Sequence, residues 1–417
     1  MTTLDADCVV VGGGIGGAVL ALALGRRKLH VLVLERSHTP QQANRPEILA
    51  RVTMEAFHDL GVGPRILEEA TIPLHGIEMW QSGGERLAAI VEEDLQRAGA
   101  QPYSTDPAKT RELLLEAALA TGHVELQRGV DVQHVRRDDT QGMEVEALHD
   151  QQRVSYTTSV VVGDDGGHSR IREALGIPLI TQEFPLEFLG TVGPRLPGQS
   201  DRVGQAWLNP RGLRDGIFAG VFMPLPAQRT ALVFILSAPA CGRLQQGSPK
   251  VFYEAAKRFA PLCETLEQSG YVFPQGFSRF HRPFGHARSY VRDGAALMGD
   301  AVHPVTPAGG QGANMSVADA MVLAEVLVEA LHHKDCSVQR LQAYQAVRWA
   351  ANQRSMQFSV NTNRVVRFFQ HVPWIVSALP WYLRRALAQS STKTRLLRAV
   401  GGAFVSQPPL DKTRASR

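Results

Sequence analysis

Short apolar runs alternate with a helical pattern at the start of the chain. Residues 7–11 are largely β-branched and end at a cluster of glycines, residues 18–27 have a helical pattern, and residues 30–34 are a second apolar run. Apolar runs of this length without polar alternation are typical of strands buried in a parallel sheet. The order of strand, helix and strand predicts a βαβ unit and an α/β fold class.

The pattern changes near residue 178. Residues 184–192, 216–224 and 230–236 are short aromatic and β-branched runs, separated by turns rich in proline and glycine. This pattern predicts an antiparallel sheet inserted into the α/β domain. The expected division is a first part of the α/β domain over 1–177, the inserted sheet over 178–285, the second part over 286–335, and C-terminal helices with a tail over 336–417.

The glycine cluster has the spacing of a dinucleotide site. Gly12 allows a tight turn after the first strand, Gly14 lets the backbone approach a pyrophosphate, and Gly17 permits close packing of helix on strand. The start of the helix offers N–H groups and a positive dipole end to phosphates. Glu35, at the end of the second strand, is placed to accept a hydrogen bond from a ribose hydroxyl.

Two further segments repeat the order of strand, turn and helix. Residues 159–172 pass from a β-branched strand into a turn that contains Asp165 and Gly166. Residues 295–320 pass from a strand that ends at Gly299 and Asp300 into a loop rich in proline and glycine, then into a helix that starts near Gly312.

Together, the three segments resemble the class A flavoprotein monooxygenases, the family of p-hydroxybenzoate hydroxylase and of the quinone-ring hydroxylases. The resemblance spans most of residues 5–350. It implies a Rossmann-like FAD-binding domain of the glutathione-reductase type, with the inserted sheet forming the roof of a substrate pocket. It also implies FAD as cofactor and NADH or NADPH as electron donor.

The family's motifs imply a set of cofactor-binding residues in this chain. Strict register places Pro107 where relatives use an arginine or glutamine, so Arg111 is the nearest candidate for that contact. His303 matches a family histidine that is mainly structural, so we assign no catalytic residue, and we expect no metal. The implied FAD-binding residues are Gly12, Gly14, Gly17, Glu35, Arg45, Arg111, Asp165, Gly166, Asp300, Pro307, Gly309, Gly312, Ala313 and Asn314.

The helix start in the third segment can stabilise the negative charge of reduced flavin. Reduced flavin is negative near N1, and a helix start at Gly312 and Ala313 can direct backbone N–H groups at that charge. Pro304 and Pro307 fix the loop. In the family, the proline equivalent to Pro307 lies beside the reactive edge of the ring.

The resemblance implies an FAD-dependent monooxygenase that uses NAD(P)H and O₂, through a flavin C4a-hydroperoxide, to hydroxylate a substrate. Epoxidation and N-hydroxylation by the same family are alternatives, as is an isoprenoid-chain flavin reductase. A tryptophan-halogenase-like enzyme lacks support because its Trp-x-Trp-x-Ile-Pro motif is absent from the chain. A flavin-binding protein without turnover is disfavoured by the intact motifs.

Composition and charge indicate which kinds of molecule the protein binds. The 417 residues carry a formal net charge of +4, which does not argue for nucleic acid. The four cysteines are scattered without metal-like spacing, which favours a reduced, cytoplasmic compartment. The predicted strands over 216–224 and 230–236 carry almost no charge, so we expect an apolar or aromatic small-molecule substrate and O₂.

The segment 365–387 is aromatic and basic and is interrupted by Pro373 and Pro380. We expect a helix docked on its own protein, with peripheral contact to the cytoplasmic face of a membrane as the alternative. We expect a disordered tail over 407–417.

Overall fold

The computed structural model describes residues 5–40, 46–138, 142–280, 284–307 and 310–402. Its elements up to residue 163 are β1 (Ala6–Val11), α1 (Ile15–Gly25), β2 (Val31–Glu35), β3 (Glu47–Ala50), α2 (Arg51–Asp59), α3 (Gly63–Glu69), β4 (Thr71–Pro73), β5 (Gly76–Gln81), β6 (Glu85–Val91), α4 (Glu92–Ala98), β7 (Pro102–Thr105), α5 (Pro107–Leu119), β8 (Val124–Arg128), β9 (Val130–Arg137), β10 (Met143–His149) and β11 (Gln152–Gly163).

The remaining elements include two 3₁₀ turns, Pro261–Thr265 and Gly299–Ala301. The helices and strands are α6 (Arg170–Ala174), β12 (Leu179–Gln182), β13 (Leu186–Pro194), β14 (Val203–Leu208), α7 (Gly212–Asp215), β15 (Ile217–Leu225), β16 (Arg229–Ser237), α8 (Ala238–Gln246), α9 (Pro249–Phe259), β17 (Ser278–Phe280), β18 (Phe284–Ala287), β19 (Val291–Arg292), β20 (Ala295–Leu297), α10 (Gly312–His332), α11 (Val338–His371), α12 (Pro373–Val376), α13 (Leu379–Leu387) and α14 (Ser390–Gly402).

The predicted α/β fold is confirmed. Five strands run parallel in the order β20-β11-β1-β2-β8, and β19 pairs antiparallel at the β20 edge. β9 and β10 add an antiparallel extension to β11. The parallel strands are apolar runs because they are covered on both faces: Val9, Val10 and Val161 have no exposed surface.

Helix α1 begins earlier than the sequence pattern predicts, at Ile15 rather than residue 18, and ends at Gly25. Its first turn therefore includes Gly16 and Gly17, residues that composition alone marks as loop. A Cβ at Gly16 would overlap the Ser316 side chain of α10. The close packing of α1 on α10 explains why glycine is tolerated inside a helix there.

A second sheet of seven strands has the order β17-β13-β16-β15-β14-β5-β6. It is antiparallel except for the parallel pair of β14 and β5. The predicted runs over 184–192, 216–224 and 230–236 appear in it as β13, β15 and β16. β5 and β6 come from the segment assigned above to the first part of the α/β domain, so this sheet joins strands from both segments.

The two faces of the seven-stranded sheet have different partners. One face packs under α8 and α9 in a cluster that includes Trp207, Phe222 and Phe234. The opposite face, called here the inner face, packs at one end against Val366 and Phe369 of α11. Trp80 stacks on Trp207 with ring centroids 5.6 Å apart, so these two rings belong to the core beneath α8 and α9 and not to the inner face.

The C-terminal helices dock on the protein itself. Leu397 of α14 packs against Ile90 and Leu95. Lys393 Nζ lies 2.9 Å from Asp94 Oδ2, and Arg384 pairs with Glu85 at 2.5 Å. None of the helices in the described ranges is both long enough and apolar enough to cross a membrane.

A buried carboxylate joins the third motif to α10 and α11. Asp319 is fully buried, and its Oδ2 lies 2.6 Å from His303 Nε2 while also accepting a bond of 3.2 Å from the Gly299 N–H. Its Oδ1 accepts bonds from Arg348 Nε at 2.7 Å and from Asn352 Nδ2 at 3.0 Å. Burial alone would raise the pKa of Asp319, but the charges of His303 and Arg348 hold it well below its usual range.

We predict that Asp319→Asn lowers the free energy of unfolding by about 3–5 kcal/mol, because it leaves the buried Arg348 without its counter-charge. Urea denaturation followed by circular dichroism measures the change. Asp150→Asn is the matched control, because the Asp150 side chain is 73% exposed and should cost almost nothing. Equal stability of the two variants would contradict the account.

Candidate functional site

Three motif segments meet at the carboxyl ends of adjacent parallel strands. The first follows β1, the second follows β11 and the third follows β20, and these strands are neighbours in the order β20-β11-β1. Ligands of open α/β sheets bind outside this edge. The segments are far apart in sequence, and the sheet brings them together.

The glycine turn after β1 lies directly on the second segment. Gly12 has a φ of +111°, and a Cβ there would overlap the main-chain carbonyl of Asp164. A Cβ at Gly17 would overlap the carbonyl oxygen of Gly12. Both residues must therefore be glycine for the turn, the helix and the second segment to approach this closely.

The start of α1 can receive an anion. Gly14 occupies the N-cap position and has no side chain of its own to cap the helix, so N–H groups of the first turn can donate to a ligand. Glu35 lies beside the turn, where its Oε2 accepts a bond of 2.9 Å from the Gly13 N–H and its Oε1 accepts one of 2.8 Å from the Ser37 N–H. These two bonds hold the carboxylate beside the glycine turn, and its contact with a ribose stays a prediction.

The second segment is ordered by its own side chains. Asp165 Oδ2 accepts a bond of 3.2 Å from the Ile171 N–H, and burial raises the pKa of Asp165. Arg172 donates to the carbonyls of Ala301, at 2.9 Å, and Gly167, at 3.1 Å, which ties this segment to the third. Gly166 has a φ of +85°, and a Cβ there would meet no atom within 4 Å, so space lies next to the turn.

The third segment carries Asp300 in a 3₁₀ turn and leads to α10, which begins at Gly312 as predicted. A Cβ at Gly312 would lie 3.9 Å from Asp300 Oδ1, so the carboxylate and the helix start are close together. Ala313 follows in the first turn. The Pro307 carbonyl accepts a bond of 3.1 Å from the Gly310 N–H.

Asn314 fastens the start of α10 to the β3–α2 region. Its Oδ1 accepts bonds from the Ala50 N–H at 2.8 Å and from Thr53 Oγ1 at 2.6 Å. Its Nδ2 donates to the carbonyls of Ile48, at 2.8 Å, and Gly310, at 3.0 Å. With all four bonds made inside the protein, the Asn314 side chain positions the helix start, and a direct cofactor contact there falls to the backbone.

The remaining residues predicted from the sequence are Arg111, Arg45, Gly309 and His303. Arg111 lies on α5, where its Nε is 3.2 Å from Glu112 Oε1, and Arg128 also binds Glu112. Arg45 and Gly309 lie outside the described residues. His303 is fully buried against Asp319, with its Nδ1 also buried, which agrees with a structural role.

These residues fit FAD. The close approaches at Gly12 and Gly17 leave a bare backbone turn at a helix start whose N-cap residue is a glycine, which suits a pyrophosphate. Glu35 and Asp300 are carboxylates that could accept hydrogen bonds from hydroxyl groups of the ribose and of the ribityl chain. The start of α10 could direct amides at the negative region of the reduced ring.

Comparison with known proteins agrees with this geometry. Residues 5–359 match the family described as "FAD binding domain". The chain is 26% identical over 366 residues to 3-demethoxyubiquinol 3-hydroxylase of Escherichia coli, covering 84% of this chain and 88% of that protein. It is 30% identical over 327 residues to rifampicin monooxygenase of Streptomyces venezuelae, covering 76% of this chain and 63% of that protein.

A solved structure shares the whole architecture. The crystal structure of p-nitrophenol 4-monooxygenase PnpA from Pseudomonas putida superposes with a TM-score of 0.75 over 96% of this chain and 99% of that chain, at 19% identity. At 19% identity, this similarity shows that the two proteins share a fold. The family match and the curated relatives confirm the resemblance read from the motifs: the chain belongs to the FAD-binding domain family of flavoprotein monooxygenases.

Proposed function

We propose that this monooxygenase hydroxylates an apolar aromatic or quinone-like substrate. The inner face of the seven-stranded sheet carries the proposal. Across the middle of β14, β15 and β16 the residues on that face are apolar: Ala206, Leu208, Ala219, Val221, Met223, Ala231, Val233 and Ile235. The polar residues that share this face on β16, Arg229 and Ser237, lie at the two ends of the strand, and Arg229 is paired with Asp106. A carboxylate brought against the middle of these strands would lose water and find no unpaired counter-charge there.

The exposure of this face supports a cavity there. Ala206, Leu208, Ala219, Val221 and Ile235 are each partly exposed, whereas Trp207, Phe222 and Phe234 on the opposite face are buried. Apolar side chains that stay partly exposed on the face of a large sheet are typical of a binding pocket lined by hydrophobic residues. We infer that the substrate lies against them.

The protein's own groups have three tasks in the reaction. When bound, FAD supplies the redox chemistry, accepting a hydride from NAD(P)H and activating O₂. The backbone amides at Gly312 and Ala313 stabilise negative charge on the reduced ring. The inner face orients an electron-rich ring and excludes water from it. The names of the relatives, among them a demethoxyubiquinol hydroxylase, favour ring hydroxylation over epoxidation or N-hydroxylation.

A matched pair of substrates tests this proposal. We expect kcat/KM for NAD(P)H-dependent product formation to be at least about tenfold higher for an alkylphenol than for the same phenol bearing a carboxylate, because burying an unpaired carboxylate costs more than about 1.4 kcal/mol. Product is measured by liquid chromatography. Val221→Arg should reduce the difference in kcat/KM between the two phenols, because it adds a counter-charge for the carboxylate. Val221→Leu is its control. Preferred turnover of the carboxylated phenol by the unmodified protein would refute an apolar pocket.

We also propose that α13 contacts an anionic lipid surface. Trp381 and Tyr382 are 66% and 62% exposed, which is unusual for aromatic residues on a docked helix. Tyr382 also lines a groove between α13 and α14 together with Arg385 and Arg395, and none of the described residues that line this groove is acidic. Aromatic rings beside arginines are the composition of helices that bind at the membrane interface. Such a contact would bring the protein to apolar substrates dissolved in the bilayer.

Vesicle co-sedimentation tests the lipid contact. The protein should sediment with phosphatidylglycerol vesicles and much less with phosphatidylcholine vesicles, because the arginines need anionic headgroups. The double variant Trp381→Ser with Arg385→Ser should lose most of that binding. Phe368→Ser is the control, because Phe368 is 51% exposed but lies on α11. Equal binding by the control and the double variant, or no binding by any of them, would rule out α13 as the contact.

A further inference from the structure

One carboxyl lies where the three motif segments meet, and no motif assigns it a role. Asp164 follows β11 directly, and its Oδ2 accepts a hydrogen bond of 2.7 Å from the Gly17 N–H in the first turn of α1. A Cβ at Gly14 would lie 3.3 Å from the same oxygen, and a Cβ at Gly299 would lie 2.5 Å from Asp164 Oδ1. Glycines of the first and third motifs therefore enclose this carboxyl.

This position matters because the same helix start is the place for the cofactor's pyrophosphate. The N-terminal amides of α1 and their positive dipole end attract an anion. An ionised Asp164 already occupies one of those amides and adds a negative charge close to the others. Two like charges at one helix start repel each other, and the repulsion is stronger where water is excluded. An ionised Asp164 and bound FAD therefore oppose each other.

The surroundings favour the neutral form of Asp164. Burial raises the pKa of Asp164 well above its usual range. The Gly17 N–H opposes this shift, but the neighbouring carboxylates of Asp300, Asp165 and Asp319 add to it.

Among the described residues, three cationic side chains of the surrounding segments contact groups other than Asp164. Arg348 of α11 and His303 of the third segment contact Asp319, and Arg172 of α6 donates to main-chain carbonyls. Glu35 adds a further acid beside the glycine turn. Tyr344 of α11 donates to the Leu297 carbonyl at 3.2 Å, and burial, together with the nearby charge of Asp319, raises its pKa.

We propose that Asp164 is a neutral carboxylic acid when FAD is bound, and that its ionisation at higher pH weakens FAD binding. A neutral acid keeps one oxygen as acceptor for the Gly17 N–H and places no negative charge beside the helix start. The sign follows from linkage: the complex favours the protonated form, so FAD affinity is full at low pH and falls as the pH rises through the pKa of Asp164 in the apoprotein.

The protonation state can be observed directly in the holoprotein. Infrared spectroscopy at neutral pH should show a carboxylic-acid carbonyl band that shifts in D₂O and is missing from Asp164→Asn. If the difference spectrum of the two proteins contains no such band, Asp164 is ionised beside FAD and the proposal is wrong. This readout needs no turnover, so it is independent of the substrate proposed above.

The coupling is measured as FAD affinity against pH, using the fluorescence of FAD released from the protein between about pH 6 and about pH 10. Above the pKa of Asp164, the affinity of the unmodified protein for FAD should fall by about tenfold per pH unit relative to that of Asp164→Asn. The Asn side chain keeps an acceptor for the Gly17 N–H but cannot ionise. Asp164→Ala, which removes the acceptor, shows the cost of losing the helix cap alone. Asp150→Asn is the control for removing a negative charge outside the cofactor site. Parallel curves for the unmodified protein and Asp164→Asn would show that Asp164 acts only as a cap and would overturn the coupling.

Discussion

Asp319 holds in place the part of the molecule on which the flavin site is built. It lies at the buried junction of α10, α11 and the segment after β20, and it uses both oxygens to bind His303, the Gly299 amide, Arg348 and Asn352. A charge in such a place is tolerated only when it is fully paired and hydrogen-bonded. The pairing fixes the turn that carries Asp300 and the direction in which α10 starts.

The close approach of the three motif segments at their glycines is the second constraint on the flavin site. A side chain at Gly12 or Gly299 would collide with Asp164 of the second segment, and one at Gly17 would collide with the Gly12 carbonyl, so the three motifs share one compact space. Asn314 then fixes the start of α10 to the chain around Ile48 and Ala50. The cofactor site is therefore largely backbone, held by a few buried polar side chains, while the inner face of the other sheet supplies the apolar surface.

Much of this could be predicted from sequence because it depends on local patterns. The βαβ unit, the start of α10 at Gly312 and the strands β13, β15 and β16 all follow from short-range periodicity and turn residues. Non-local features could not be predicted in this way. Nothing in residues 76–91 shows that β5 pairs with β14, more than a hundred residues away. Asp319 lies in an ordinary helical stretch, and only the fold brings Arg348 and His303 to it. Asp164 looked like part of a turn until the structure placed it against Gly17.

The most direct test of the central claim is the fate of molecular oxygen. The FAD-loaded protein is supplied with NAD(P)H, an alkylphenol or quinone precursor and isotopically labelled O₂, and the product is analysed by mass spectrometry. A monooxygenase of this family must place one labelled oxygen atom in the product, with NAD(P)H consumed in step with product. A product without the label, or a reduced substrate formed equally well in the absence of oxygen, would contradict the assignment and favour a flavin reductase.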